Sequence, residues 1–478
     1  MATEDSLKSL SSSSSSSSVV VVMVPFPQQS HLNQLLQLSH VISLYDNNNN
    51  IHVHYVASTL HKTLVNSRSP FRSTLHNQKS NSTTSIQFHE FSIPQNLTAA
   101  PPELLAASPD LRRFITDLIR SLSCSARRVV IVHDVLMGSV IDDDVVLSIP
   151  NVASYGFDCI SAFTSFTFLS EISTDHNHEF CTNNYYNKLI SIPARDECFP
   201  PEVNLYLDSF FQSMKARGSG DLYNTCRSIE NTFLDLLAND NELRCKKKVW
   251  AVGPLHRLNS NVSDNGHECL RWLNEQEPNT VLYVSFGTTV SILDKQIEEI
   301  ALGLEKSGKK FIWVLRDADK GDVFDEGTVK RLQLPDGFEE RVTGMGMVVR
   351  EWAPQVEILG HPSTGGFMSH CGWNSCLESI SMGVPIAAWP MCADQPRNAV
   401  LITEVLKVGL EVREWRKRKE LVSSDVIEKV VERLMGSDEG VEMRKRAEEL
   451  GGEVRKSVAE GGVTRGEWDS FIAHITGS

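Results

Sequence analysis

A chain of 478 residues exceeds what one ordinary hydrophobic core fills, so two or three domains are expected, and two of about 200 residues or more fit the length. Its net charge of −14 argues against nucleic acid or an anionic membrane as the main partner, and no run reaches the roughly 18 apolar residues of a membrane helix. Ten cysteines without a metal-type CxxC pair read as reduced thiols of a cytoplasmic protein.

In chain order, Met1 to Ser18 is a Ser-rich tail with no basic n-region or cleavage site, expected to be disordered and not a signal peptide. Val19 to Val24 is a continuous β-branched run that ends at Pro25-Phe26-Pro27, the pattern of a buried first strand of a parallel sheet. His31 opens a helix whose apolar positions Leu32, Leu35, Leu36 and Ile42 recur at helical spacing to about Tyr45. It thus stands just beyond the carboxyl end of a strand, where open α/β sheets bind ligands. Ile51 to Ala57 is a second strand, and Gln87 to Ser108, with three prolines, reads as a loop. A helix at Leu111–Leu122 leads to the strand Val129–Val132 and to Asp134, again at a strand's carboxyl end; capping the following turn is the plainer role for this Asp. Asp142-Asp143-Asp144 holds a DxD pattern but reads as a solvated turn, and no metal is assigned to it. Tyr155 to Phe168 is aromatic and small, suited to a pocket lining or a core. After the strand Val249–Val252, the Asn- and Ser-rich linker 255–265 is the expected domain boundary.

The second half repeats the order strand, Gly-turn, helix, strand: Val281–Phe286 with Gly287-Thr288, the helical face Ile297, Ile300, Ala301, Leu304, and Phe311–Leu315. The residues Gly303 to Lys310 mimic a P-loop but lack the final Ser or Thr and run from helix to strand, and no GxGxxG exists, so neither ATP nor NAD is supported. The most informative stretch is the 44 residues from Trp352 to Gln395. Within it an apolar strand, Gly366 to Met368, runs through Ser369-His370-Cys371-Gly372-Trp373-Asn374-Ser375 into a helix, Cys376 to Met382, closed by Gly383 and Pro385. Free N–H groups and the positive end of the helix dipole meet at such a turn, so Gly372, Asn374 and Ser375 suit a phosphate, with His370 as a further donor. Trp352 offers a flat face for a base, Gln355 an amide for its edge, Glu378 a carboxylate for ribose hydroxyls, and Asp394 and Gln395 hydrogen bonds for a sugar. Charged amphipathic helices follow at Ser424–Met435 and Val441–Ala459, and Trp468 to Ile475 is expected to fold back on the first domain.

This stretch resembles the secondary-product glycosyltransferase box of plant family 1 UDP-glycosyltransferases. The resemblance implies the two-domain GT-B glycosyltransferase fold: an acceptor domain over 19–254 and a UDP-sugar domain over 266–459, both Rossmann-like α/β and facing each other, with 460–478 packing back. It assigns Trp352 and Gln355 to uracil, Glu378 to ribose, His370, Asn374 and Ser375 to the diphosphate, and Trp373, Asp394 and Gln395 to the sugar, with Ala353 and Gly372 also counted among the donor-binding residues. Ser285-Phe286-Gly287-Thr288 resembles the family's second phosphate-side loop. The family's general base corresponds to His31, with Ser30 standing where the family has Gly, and its partner acid to Asp134. Glucose from UDP-glucose is the implied donor, because a terminal Gln accompanies glucose in the family and His accompanies galactose. No metal or redox cofactor is implied, and a monomer is expected. Val24-Pro25-Phe26-Pro27, His31 to Leu36, Phe88 to Phe91, His133-Asp134 and Ser161-Ala162-Phe163 are most similar to zeatin O-glycosyltransferases, which implies a cytokinin acceptor. Flavonoids, other phenols and terpenoids are the alternative acceptors. A non-catalytic UDP-sugar or hormone receptor is the rival class, and it would not need both His31 and Asp134.

Overall fold

The computed structural model describes residues 18–45, 50–58, 86–92, 103, 106–141, 146, 148–172, 192–213, 218–239, 247–258, 266–287, 292–316 and 333–477. Outside them lie most of the Ser-rich tail, Asp142 to Asp144, most of the 255–265 linker and Thr288. Two parallel sheets carry the fold. The first contains β1 (Val19–Val24), β2 (Ile51–Ser58), β3 (Gln87–Phe91), β4 (Arg128–Asp134), β5 (Val152–Asp158), β6 (Gly220–Tyr223) and β7 (Lys248–Ala251), in the order β3-β2-β1-β4-β5-β6-β7. The second contains β8 (Val281–Ser285), β9 (Lys310–Val314), β10 (Gly346–Val349), β11 (Thr364–Ser369), β12 (Ile386–Ala388) and β13 (Gly409–Glu411), in the order β10-β9-β8-β11-β12-β13. The described residues fall into two compact units, one within Met1–Phe157, Gln212–Leu222 and Asp469–Ser478, the other within Asp158–Phe211 and Tyr223–Trp468.

Both sheets begin in the middle and grow outward in each direction, so each has one place where the strand order reverses. That place is β1 beside β4 in the first sheet and β8 beside β11 in the second. Loops at the carboxyl ends of such a strand pair diverge and leave a crevice, the position where α/β sheets hold ligands. The register brings Val24 opposite His133, one residue before Asp134, and Ser285 opposite Ser369, two and one residues before Gly287 and His370.

Helices pack on the sheets through apolar stripes that the sequence sets. Helix α1 (Gln29–Leu44) buries Leu32, Leu35, Leu36, Leu38 and Ile42. Ser30 lies in its first turn and is not among the residues with positive φ, so this backbone does not need the glycine that Ser30 stands in for. Helix α2 (Pro109–Ser123) turns Leu111, Ile115 and Ile119 inward. In the second sheet Ile297, Ile300, Ala301 and Leu304 of α5 (Asp294–Lys306) are all fully buried against Leu282, Val284 and Trp313. The reading of 87–108 as a loop is corrected at its start. Gln87 to Phe91 pairs in parallel with β2 as an edge strand, five residues whose polar His89-Glu90 pair breaks any alternation.

Helix α3 (Ala162–Ile172) follows β5 and begins at a fully satisfied N-terminus. Its first two N–H groups, of Ala162 and Phe163, donate to the two carboxylate oxygens of Glu230 at 3.1 and 2.8 Å. The third, of Thr164, donates to Ser161 Oγ at 3.1 Å. Glu230 sits at a kink in α4 (Arg227–Asn239) and is 1% exposed. Burial pushes its carboxyl up to about 7, against the lowering pull of those hydrogen bonds. A carboxyl whose pKa is raised on folding contributes stability that is complete below its ordinary value near 4.5 and is lost as pH rises through about 7. Thermal unfolding of the wild type should therefore drop, from about pH 5 to about pH 8, relative to Glu230→Gln. Parallel melting curves for the two proteins would remove Glu230 from the linkage.

Candidate active site

The carboxyl ends of β1 and β4 bring together two residues 103 positions apart. His31 Nδ1 lies 2.6 Å from Asp134 Oδ2, with the imidazole 15% exposed and the carboxylate fully buried. The other carboxylate oxygen, Oδ1, accepts the Leu136 N–H at 3.0 Å and caps the short 3-10 turn Val135–Met137. One carboxylate thus both caps the turn and bonds the imidazole. Phe26 meets the His31 ring edge-on at 5.3 Å and fixes its remaining freedom. An imidazole that donates from Nδ1 to a carboxylate takes up a proton at Nε2, and the carboxylate stabilises the cation that forms.

At the end of β11 the chain turns sharply into α7 (Trp373–Met382), which starts three residues before the expected Cys376. Gly372 is its N-cap, so the N–H groups of Trp373, Asn374 and Ser375 occupy the first turn. The turn is built on Cys371 at φ +64°, whose N–H donates to Ser369 Oγ at 3.1 Å. The His370 ring lies against two glycines. A Cβ on Gly287 would stand 2.7 Å from Nε2 and one on Gly372 2.6 Å, and Gly287 itself has φ +80°. Burial holds His370 down to about 4, so it is neutral at pH 7. Its Nδ1 is buried without a hydrogen-bond partner.

The base-side and ribose-side candidates meet in one cluster. Helix α6 (Gln355–Leu359) places the Gln355 amide against α7, where Nε2 donates to Ser375 Oγ at 3.0 Å and to Glu378 Oε2 at 2.7 Å. Tyr283 on β8 donates its hydroxyl to Gln355 Oε1 at 3.3 Å, a contact the sequence reading did not include. Burial pushes the Glu378 carboxyl up to about 7, offset in part by the Gln355 bond. Trp352 is 53% exposed, a large apolar face turned to solvent, while Ala353 beside it is buried.

The three residues assigned to a sugar differ among themselves. Trp373 is 2% exposed and donates its indole N–H to the Asn224 carbonyl at 2.8 Å, so its ring is core and what it offers at the turn is its backbone N–H. Gln395, at the start of α8 (Gln395–Val400), is buried, and its Oε1 accepts the N–H groups of Met391 and Cys392 at 2.9 and 3.1 Å. Its acceptor is thus committed to the loop, and Nε2 donates one hydrogen to Cys392 Sγ at 3.8 Å, which leaves its second hydrogen to address a ligand. Asp394 precedes it as N-cap and accepts from Asn398 Nδ2 at 2.7 Å. Asn224, Tyr283 and Asn398 escaped sequence reading because each lies in a segment whose local pattern signals only core.

Comparison with known proteins agrees with this arrangement. Residues 17–257 match the family profile described as Glycosyltransferase, N-terminal domain, and residues 203–436 that of UDP-glucoronosyl and UDP-glucosyl transferase. A zeatin O-xylosyltransferase of Phaseolus vulgaris is 47% identical over 468 residues, 95% of this chain and 97% of that one. A zeatin O-glucosyltransferase of Phaseolus lunatus is also 47% identical over 468 residues, 95% and 96% of the two chains. Among solved structures, a UGT transferase from Siraitia grosvenorii in complex with UDP superposes with TM-score 0.72 at 30% identity, over 96% of this chain and 99% of that one.

The packing at His370 makes a prediction of its own. Gly372 has φ −59°, which any residue adopts, so Gly372→Ala acts through the clash with the imidazole alone and should destabilise by about 1–3 kcal/mol. Shortening the ring in a His370→Ala background should remove most of that loss. Equal losses in both backgrounds, measured by thermal or urea unfolding, would show that the glycine is needed for another reason.

Proposed function

The chain belongs to the UDP-glycosyltransferase family, and from that premise we propose that it transfers glucose from UDP-glucose, with inversion, to a hydroxyl of a zeatin-type cytokinin. The observation that carries the reading is the 2.6 Å bond between His31 and Asp134 at the carboxyl ends of adjacent strands. In the proposed mechanism His31 Nε2 takes the proton of the acceptor hydroxyl as its oxygen forms a bond to the anomeric carbon of the donor. The bond from that carbon to the UDP oxygen breaks on the opposite face, and UDP departs with the electron pair. Asp134 keeps the ring in the productive tautomer and stabilises the imidazolium. The N–H groups of the first turn of α7, with His370 and Gly287, hold the diphosphate as negative charge grows on it. Thr288 belongs to this phosphate-side set by resemblance. Trp352 and Gln355 receive the uracil and Glu378 the ribose hydroxyls; Asp394 and the Gln395 amide address the sugar.

With this reading go an acceptor domain over 19–254, a donor domain over 266–459, a C-terminal segment over 460–478, no metal or redox cofactor, and a monomeric cytoplasmic enzyme. Among the described residues no helix is long and apolar enough to cross a membrane. Transfer of xylose is the second reading, since the two Phaseolus relatives, equal in identity, are named for different sugars. Turnover measured with UDP-glucose and UDP-xylose at equal concentrations, against trans-zeatin, cis-zeatin, a flavonol and a terpenoid alcohol, tests donor and acceptor together. Faster transfer to the flavonol or the terpenoid would overturn the cytokinin assignment.

A positioned general base typically supplies 10²–10⁴-fold, so His31→Ala should lower kcat by about that factor while UDP affinity, read by calorimetry, holds. Near wild-type turnover would remove His31 from the chemistry.

Glu378 makes UDP binding depend on pH in a defined direction. Ribose hydroxyls donate to the charged carboxylate, whereas the unliganded group is half protonated near pH 7. Below about 7 binding must expel that proton and affinity falls; above it the full interaction, about 1.5–3 kcal/mol, is available. Affinity should thus rise with pH through neutrality more steeply for wild type than for Glu378→Gln. Identical pH profiles would sink the ribose assignment.

A further inference from the structure

Asn398 is fully buried on α8 and makes four hydrogen bonds with its side-chain amide. Its Oδ1 accepts from the hydroxyls of Ser161 at 2.8 Å and Thr164 at 2.9 Å. Its Nδ2 donates to the Cys371 carbonyl at 3.0 Å and to Asp394 Oδ2 at 2.7 Å. The amide has one orientation, because a carbonyl and a carboxylate cannot donate to an amide oxygen. Every donor and acceptor of the group is thereby used, and in a buried site each bond lost leaves a partner unsatisfied.

The anchors on the oxygen side are themselves rigid. Ser161 is the residue before α3 and accepts the Thr164 N–H, while Glu230 holds the other two N–H groups of that helix end. Arg397, the residue before Asn398, is also fully buried; it pairs with Glu171 of α3 and lies 4.0 Å over the Phe168 ring. The start of α8 is thus fastened to α3 twice, by Asn398 at the first turn of α3 and by Arg397 nearer its end, and Asn398 is the fastener that also reaches Asp394.

We propose that Asn398 is a positioning residue for glycosyl transfer: its amide aims the Asp394 carboxylate at the donor sugar and locks it to α3 and to the Cys371 turn. The inference rests on the sugar-side role proposed for Asp394. Without the Nδ2 donor, Oδ2 of Asp394 loses the bond that selects its rotamer, and the carboxylate turns toward other donors. The Cys371 turn keeps its Ser369 bond, so the nucleotide is still held while the sugar is no longer aligned.

Asn398→Asp keeps an acceptor facing Ser161 and Thr164 and takes away the amide donor that faces both Asp394 and the Cys371 carbonyl. It should lower kcat/KM for UDP-glucose by roughly ten- to hundredfold, the effect of one charge-assisted hydrogen bond, and narrow the preference for UDP-glucose over UDP-galactose. UDP, which lacks the sugar, should bind within about threefold of wild type, an outcome that general loss of structure would not give. Asp394→Ala should show the same pattern, and the double variant should be no worse than the worse single. If UDP affinity falls as far as kcat/KM, or if the two substitutions multiply, Asn398 is not acting through Asp394 and the inference is overturned. Wild-type turnover in Asp394→Ala would overturn the sugar role of Asp394 and this inference with it. Should Asn398→Asp not fold, Ser161→Ala with Thr164→Val releases the amide from its other side. That pair should reproduce the selective loss of sugar-nucleotide turnover, and an unchanged kcat/KM would count against the proposal.

Discussion

The second sheet depends on one junction, the turn in which β11 becomes α7. A helix cannot satisfy its own first N–H groups, and here those of Trp373, Asn374 and Ser375 emerge beside the place where the strand order reverses. Much nearby follows from keeping that turn tight. Cys371 takes a positive φ, Gly287 and Gly372 leave no Cβ against the His370 ring, and Ser369 and Asn398 bind the N–H and carbonyl of Cys371. The Gly383 C-cap, at φ +79°, ends the helix after ten residues. The result is a concentration of fixed donors with no opposing acid in the first turn, the electrostatics that an anionic diphosphate requires.

The first sheet has the same topology, and there it serves the proton transfer proposed for His31. Its order reversal lies between β1 and β4, so His31 at the start of α1 and Asp134 at the end of β4 become neighbours despite their distance in sequence. A buried carboxylate needs hydrogen-bond partners, and those of Asp134 include one ring nitrogen and one backbone N–H. The shared carboxylate ties the orientation of His31 to the capping of a local turn, so the pair is held by the fold itself. The two carboxyls raised to about 7, Glu230 and Glu378, carry different tasks: one closes a helix end, the other waits beside Gln355.

The fold was largely legible because its signals are strong ones. Continuous apolar, valine-rich runs such as Val19–Val24 and the 3.6-residue stripe of Ile297, Ile300, Ala301 and Leu304 survive any reading of pattern. Gln87–Phe91 was missed as a strand because a short edge strand with polar residues has little pattern to read. At the site, residue types were legible and atoms were not. Nothing in the sequence says that the Trp373 indole is spent on Asn224 or that Gln395 Oε1 is spent on the 391–392 backbone. The tasks of Glu230, Ser161 and Asn398 were invisible for the same reason. Their roles come from partners on other elements, and only the tertiary fold supplies those partners.

Inversion at the anomeric carbon is the claim on which the roles of His31, Asp134 and the α7 turn converge. On the proposed function the acceptor oxygen attacks as the diphosphate leaves from the opposite side of the anomeric carbon, so the configuration inverts. The most direct measurement is the proton NMR spectrum of the glucoside formed from UDP-glucose and trans-zeatin, in which the anomeric coupling distinguishes the two configurations. UDP-glucose is the α-anomer, so the account predicts a large coupling, that of a β-glucoside. A small coupling, that of an α-glucoside, or the absence of any glucoside would contradict it.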